Sequence, residues 1–316
     1  MDEIKDFFEG YSVEHLSSTH PRQDTYLVSS ANRTHLATVT REMSESEISQ
    51  LKFAKTIQIM AYNRGIAVRP HFIEKLNSDT IIVCTAHTNE YTPYQIERYS
   101  SKQLETVLQT LGTTANTLHT IPDDHGKQSY GPLEIGSEDN LYGSYYEYKN
   151  AQNSIEDIST KKFSKSIKRK IDELVNYYTS VEDTTDTIFH ISTYPNTDVL
   201  LSEDLSRSII TEWRSISLME TASAIVSSVY NITRHNTEIA EDTVLEHFME
   251  GYNKDRIQNK TRLSTTDPVF KKYVVMNLFE EMSNFGEYYN DDSTESKQRE
   301  KYLQQRIEEV HSVTFD

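Results

Sequence analysis

Residues 189–213 read FHISTYPNTDVLLSEDLSRSIITEW, and their reading decides where the rest of the chain falls. A short strand end at 189–191 gives way to a polar loop. Then come Val199, Leu200 and Leu201, a turn at Glu203 and Asp204, and a second run from 208 to 211 that ends in Glu212 and Trp213. Two short apolar runs joined by a polar turn read as a β-hairpin. The polar residues flanking it then sit together at its mouth.

Upstream, residues 13–16, 26–29 and 36–41 read as strands, the last alternating with a period of two. The loop at 17–24 has no glycine, so its offer to an anion is limited to hydroxyls such as those of Ser17 and Ser18. Residues 44–63 read as a helix. Ser44 or Ser46 caps it, Glu45 and Glu47 occupy the first turn, and Ile48, Leu51, Ala54, Ile57 and Ala61 form one face. Gly65 ends it. A second hairpin follows over 71–85, and the polar stretch 87–93, with Pro93, reads as a hinge. Beyond it the chain turns helical. In 101–119, Leu104, Val107, Leu108, Leu111, Ala115 and Leu118 make one apolar stripe. Further helices are expected around 167–178 and at 218–233, 240–252, 268–285 and 297–313. This divides the chain into a sheet lobe (1–86), a hinge (87–93), a helical lobe carrying the hairpin (94–290) and a helical tail (291–316).

Composition narrows the classes of function. The 316 residues carry a formal net charge of −17. Such a surface repels nucleic acid, and the one basic run, 161–170, reads as the solvated face of a helix. No apolar run is long enough for a membrane span. The first ten residues, MDEIKDFFEG, are acidic and lack a signal-peptide pattern. With Cys84 as the one cysteine, no intrachain disulfide can form, and a cytoplasmic location is expected. Partners are expected to be a small molecule or nucleotide, or another protein, rather than nucleic acid or membrane. Hydrolase, metalloprotease and P-loop signatures are absent.

The layout resembles the aminoglycoside phosphotransferase and choline kinase family, the small-molecule branch of the kinase-like fold. That family reads His-x-Asp-x-His-Pro-x-Asn and three apolar residues at this hairpin, then Ile-Asp-Trp after its turn. Two further segments are similar to family ones: the turn from Gly65 to Pro70, and Leu111-Gly112 followed by Leu118-His119-Thr120-Ile121-Pro122. The resemblance spans residues 10–255. It implies an α+β, protein kinase-like two-lobe fold, with a small antiparallel sheet lobe and a large helical lobe. It also implies ATP and Mg²⁺ as cofactors.

Carried over residue by residue, the resemblance makes His190 the loop histidine and puts Ser192 where the catalytic Asp stands. The metal-binding Asn position falls on Thr197 or, with a one-residue insertion, on Asp198; the metal Asp becomes Glu212. The phosphate-anchoring Lys falls near Arg41, with Glu45 or Glu47 as its acid partner. Ser17 and Ser18 fall in the phosphate loop. Tyr142, Tyr145, Tyr146 and Tyr148 fall where the family covers its acceptor pocket, although core packing accounts for them as well. A serine hydroxyl cannot take an acceptor's proton at neutral pH. With base, loop, anchor and metal positions all exchanged, the expectation is a catalytically impaired, pseudokinase-type protein that binds a nucleotide or metabolite. The alternative is an active ATP- and Mg²⁺-dependent kinase phosphorylating a small-molecule hydroxyl.

Overall fold

Strand alternation in the first ninety residues builds one antiparallel sheet. The structure is a computed structural model that describes residues 2–20, 22–31, 33–87, 90–95, 98–121, 131–135, 141–143, 163–182, 187–191, 198–213, 216–233, 240–254, 264–288 and 294–315. A short helix α1 (Asp2–Phe7) precedes β1 (Ser12–His20), β2 (Gln23–Ser30) and β3 (Arg33–Thr40). Helix α2 (Glu45–Asn63) follows, and β4 (Pro70–Lys75) and β5 (Ile81–Ala86) complete the sheet in the order β1-β2-β3-β5-β4.

The period of two gives this sheet two distinct faces. Tyr26, Val28, Ala37, Val39 and Ile82 point to one, where they pack with Ile4 of α1 and with Phe8. Ile81 points to the other, against Ile48 and Leu51 of α2. Helix α2 starts in a capping box: the Glu47 amide donates to Ser44 Oγ at 3.3 Å, and the Ser44 amide donates to Glu47 Oε2 at 2.6 Å. It ends just before Gly65, whose φ of +78° is one that glycine adopts without a Cβ clash.

The second half of α2 belongs to a different core. Ala54, Ile57, Ala61, Ile66 and Ala67 pack against Phe189, Ile191, Ile210 and Trp213. The Ile210 amide donates to the Ile66 carbonyl at 2.9 Å, inside a parallel bridge between Ala67 and Ile210. One helix therefore joins the sheet lobe to the central hairpin.

The larger part contains β6 (Tyr91–Pro93), α3 (Ser101–His119), β7 (Gly131–Ile135), β8 (Leu141–Gly143), α4 (Lys165–Ser180) and β9 (Thr187–Ile191). After these come the hairpin strands β10 (Val199–Ser202) and β11 (Ser208–Ile210), then β12 (Ile216–Glu220) and helices α5 (Thr221–Thr233), α6 (Glu241–Asn253), α7 (Pro268–Tyr288) and α8 (Thr294–Phe315). Two small antiparallel sheets form here, β11-β10-β6 and β8-β7-β12-β9. Part of the stretch read as a polar hinge is thus a strand, with Thr92 opposite Leu201. The helix expected from residue 218 begins at Thr221, because the five residues of β12, all buried, pair with β9 first.

Helices α3 to α8 share one apolar core, which includes Leu108, Ile171, Ile225, Phe248, Phe279 and Ile307. Lys272 is buried there; its Nζ donates to the Val181 carbonyl at the end of α4 at 2.6 Å and lies 5.1 Å from the Tyr178 ring centre. Arg306 of α8 pairs with Glu241 of α6. No helix among the described residues is long and apolar enough to cross a membrane.

Candidate functional site

The site is built on the β10–β11 hairpin. Its register sets Val199 opposite Ile210 and Leu200 opposite Ile209, and the Thr211 amide donates to the Asp198 carbonyl at 2.9 Å. Asp198 and Glu212 therefore flank the open end of one ladder, both half-buried. Trp213 is buried and its Nε1 donates to the Ile210 carbonyl at 2.9 Å, which fixes the chain just after Glu212. Two carboxylates at one hairpin mouth are a hard-oxygen donor pair of the kind Mg²⁺ takes alongside phosphate oxygens and water. Ser192 and Thr197 lie outside the described residues, as do Tyr145, Tyr146 and Tyr148.

His190 lies in β9, opposite Ser217 of β12. Only 2% of it is exposed, and neither ring nitrogen has a hydrogen-bond partner among the described residues. Burial pushes its pKa down to about 4, so the imidazole is neutral at pH 7. Its ring centre is 5.8 Å from that of His119, whose Nδ1 lies 2.7 Å from the Tyr252 hydroxyl. It borders a cavity of about 40 Å³ that Thr114, Ser228, Leu111 and Ile210 also line. A void of that size admits water. A residue so placed belongs to the interior packing of the β9–β12 pair.

In the sheet lobe, Arg41 is held by Asp24, with Nη1 and Oδ2 2.6 Å apart. This hydrogen bond raises the guanidinium pKa further above its ordinary value. Asp24 alternates with Tyr26 and Val28, so the pair lies on the face that α1 covers. The α2 face of β3 carries Leu36, Thr38 and Thr40, because Thr38 and Thr40 are in register with Val83 and Ile81. Among the described residues β3 thus presents no cation to α2. Neither expected acid partner meets Arg41: Glu47 closes the capping box, and Glu45 lies 3.9 Å from Lys75.

Ser17 and Ser18 belong to β1, in register with Thr25 and Asp24. The expected eight-residue loop is therefore mostly strand, β1 ending at His20 and β2 starting at Gln23. Its end is tied down, since Arg22 Nη1 donates to the Glu42 carbonyl at 3.0 Å and the Arg41 amide donates to the Arg22 carbonyl at 2.9 Å. Arg22 lines a cleft of about 290 Å³ on the α2 side, together with Gln23, Thr40, Glu47 and Gln50.

Sequence reasoning missed Arg22, whose position beside a turn looks unremarkable until the turn folds towards α2. It missed Glu220 as well. That buried carboxylate accepts from the amides of Ala222 at 2.8 Å and Ser223 at 3.2 Å, capping α5 with an anion. Among the described residues, one group of three side chains is spaced to hold a metal ion, Glu105, His247 and Glu250. These lie on α3 and α6.

A five-stranded antiparallel sheet bridged by one helix to a mainly helical part, with an apolar hairpin of polar mouth at the junction, defines a kinase-like fold. No family model matches the chain, and no curated protein matches it in sequence. Solved structures match it along nearly its whole length. A thermostable mutant of aminoglycoside phosphotransferase APH(4)-Ia, in a ternary complex with AMP-PNP and hygromycin B, aligns with a TM-score of 0.62 and 7% identity, covering 99% of this chain and 98% of that one. Spectinomycin phosphotransferase APH(9)-Ia, in complex with ADP and spectinomycin, gives 0.56 and 11%, covering 99% and 97%. APH(2")-IIa, in a ternary complex with streptomycin and ATP, gives 0.55 and 11%, covering 98% and 96%. The chain has the fold of the aminoglycoside phosphotransferases, at identities where the likeness is one of fold.

Proposed function

We propose that this protein uses a phosphotransferase fold to bind a nucleotide or small metabolite, with little or no phosphoryl transfer. The observation that carries this reading is the α2 face of β3, where Leu36, Thr38 and Thr40 stand while Arg41 is engaged by Asp24 on the opposite face. Phosphoryl transfer depends on positioning and on charge stabilisation of the phosphates. Loss of one such electrostatic element commonly costs about a hundredfold or more in rate. Ser192 at the base position adds to that loss. The structures named above hold ATP, ADP or AMP-PNP, which supports a nucleotide as the first ligand to test. A cytoplasmic location goes with this reading.

A second reading is favoured by the pairing of Thr211 with Asp198, which brings Asp198 and Glu212 to one hairpin mouth. With Mg²⁺ held there and Arg22 supplying charge from the β1–β2 connection, the protein would be an active small-molecule kinase. Thermal stabilisation by AMP-PNP, with and without Mg²⁺, tests for binding. A labelled-ATP screen over aminoglycosides, choline-like amines and sugars tests for transfer. Stabilisation without turnover is expected; turnover in the range ordinary for kinases, about 1–100 s⁻¹, overturns the first reading in favour of the second.

A further inference from the structure

A further cavity lies on the far side of the sheet from α2. It has a volume of about 340 Å³ and sits between the α1 end and the strands β3, β4 and β5. That is within the usual range for small-molecule pockets, about 300–1,000 Å³. Its apolar wall is aromatic: the rings of Phe7 and Phe8 are 5.0 Å apart, and Phe72 lies 5.9 Å from Phe7 and 6.3 Å from Phe8. Tyr11 flanks Phe8, and the buried Cys84 lines the pocket as well.

Two charges of opposite sign also line this pocket, Arg33 and Glu74. Both residues are exposed, and neither side chain has an ion-pair or hydrogen-bond partner among the described residues. His35 lies beside Arg33, and burial, then the Arg33 charge, lowers its pKa, so it adds no charge at pH 7. The strand register sets how far apart the two charges start. Glu74 is level with Ile82 and hence with Val39, six residues along β3 from Arg33. At about 3.3 Å per residue that is roughly 20 Å along the strands. The two side chains must lean inward to line one cavity, and they still cannot share a single small ionic group.

We propose that this pocket is a ligand site, separate from the hairpin cleft, for an elongated aromatic zwitterion with an acidic group at one end and an amine at the other. Arg33 takes the acidic end, in the geometry guanidinium offers to carboxylates. Glu74 takes the amine, and the ring of the ligand packs on Phe72 and Phe7 in the offset or edge arrangements aromatic pairs prefer. A ligand with one charge leaves either Arg33 or Glu74 unmatched. An α-amino acid carries both charges at one end and reaches only one of them.

The test uses the full chain and four probes: 4-(aminomethyl)phenylacetic acid, 4-methylphenylacetic acid, 4-methylbenzylamine and L-phenylalanine. Binding is followed by ligand-observed NMR and by amide shifts at Arg33, His35 and Glu74. The zwitterion should bind about tenfold or more tightly than either singly charged analogue or phenylalanine. Arg33→Gln should weaken the zwitterion and the acid but not the amine, and Glu74→Gln should weaken the zwitterion and the amine but not the acid. Both positions are exposed, so both variants are expected to fold, which a thermal melt checks. AMP-PNP should not displace the probe. The proposal is overturned by a lack of saturable binding, by equal affinity for all four probes, by insensitivity to both variants, or by shifts confined to residues 198–212.

Discussion

Gly112 and Gly251 are the positions at which α3 and α6 meet backbone to backbone. A Cβ on Gly112 would lie 2.0 Å from the Phe248 carbonyl oxygen, and one on Gly251 would lie 1.9 Å from that of Gln109. Neither obstacle is a side chain that could swing away. Gly112→Ala and Gly251→Ala should therefore each force the helices apart and cost at least the upper part of the usual overpacking range, about 1–3 kcal/mol. Urea unfolding checks this. The same substitution at Gly10, where nothing lies within 4 Å, reports strain from its φ of +84° without overpacking.

Acid should weaken the fold partly through His190. Its folded pKa, about 4, is below the ordinary 6.5. Above pH 6.5 both the folded and unfolded states hold it neutral, so its contribution is constant. As the pH falls from 6.5 towards 4 the unfolded state takes up the proton first, and stability drops by on the order of 3 kcal/mol. Below about 4 this loss levels off. Other groups titrate in parallel, so the measurement is a difference: urea melts of the wild type and His190→Gln at pH 7 and pH 4.5. The variant should lose less stability between the two pH values; equal losses would rule out this role for His190.

Arg41 and Arg22 should behave differently. The Arg41–Asp24 pair is partly exposed, 40% and 19% for the two side chains, so solvent screens it and its loss costs at most about 1 kcal/mol. Arg41→Gln should lower the melting temperature slightly and leave AMP-PNP affinity unchanged. Arg22→Gln, in the cleft beside α2, should weaken AMP-PNP by about tenfold, in line with the loss of one charge-assisted hydrogen bond. Calorimetric titration separates the two, and a loss of nucleotide affinity in Arg41→Gln alone would reverse the assignment.

Asp198→Asn combined with Glu212→Gln keeps the shape of the hairpin mouth and removes its charge. The extra stabilisation that Mg²⁺ gives to the AMP-PNP complex should disappear, while stabilisation by AMP-PNP alone should persist. A Mg²⁺ increment of unchanged size would show that the ion sits elsewhere.

The sequence made some elements plain for local reasons. Helix α2 was plain from a serine cap and an apolar face and α3 from its apolar stripe, and capping boxes at Ser44–Glu47 and Ser100–Gln103 stand at their starts. The central hairpin is also local. What escaped is set by distant partners. Tyr91–Pro93 becomes a strand because Leu200 and Leu201 lie alongside it, more than a hundred residues away. β12 is buried throughout, so it lacks the alternation that marks a strand, and it runs into α5 without a break. The six residues of α1 are too few for periodicity to show. The alternation of Leu36, Thr38 and Thr40 with Ala37 and Val39 was readable. Which set faces α2 was not, and that choice decides whether Arg41 can reach a phosphate.

Helix α2 has a mechanical consequence. Its first half is fastened to the sheet through Ile48 and Leu51, and its second half packs on the hairpin through Ala54, Ile57 and Ala61, with Ile66 just past its end accepting from the Ile210 amide. Any widening of the gap between the two parts of the molecule has to twist this rod or prise one end of it loose. The end beside the bridge carries a backbone hydrogen bond in addition to its packing. The sheet would then pivot about α2 like a leaf on a fixed pin, and the Ile210 amide would stay protected from deuterium throughout the swing.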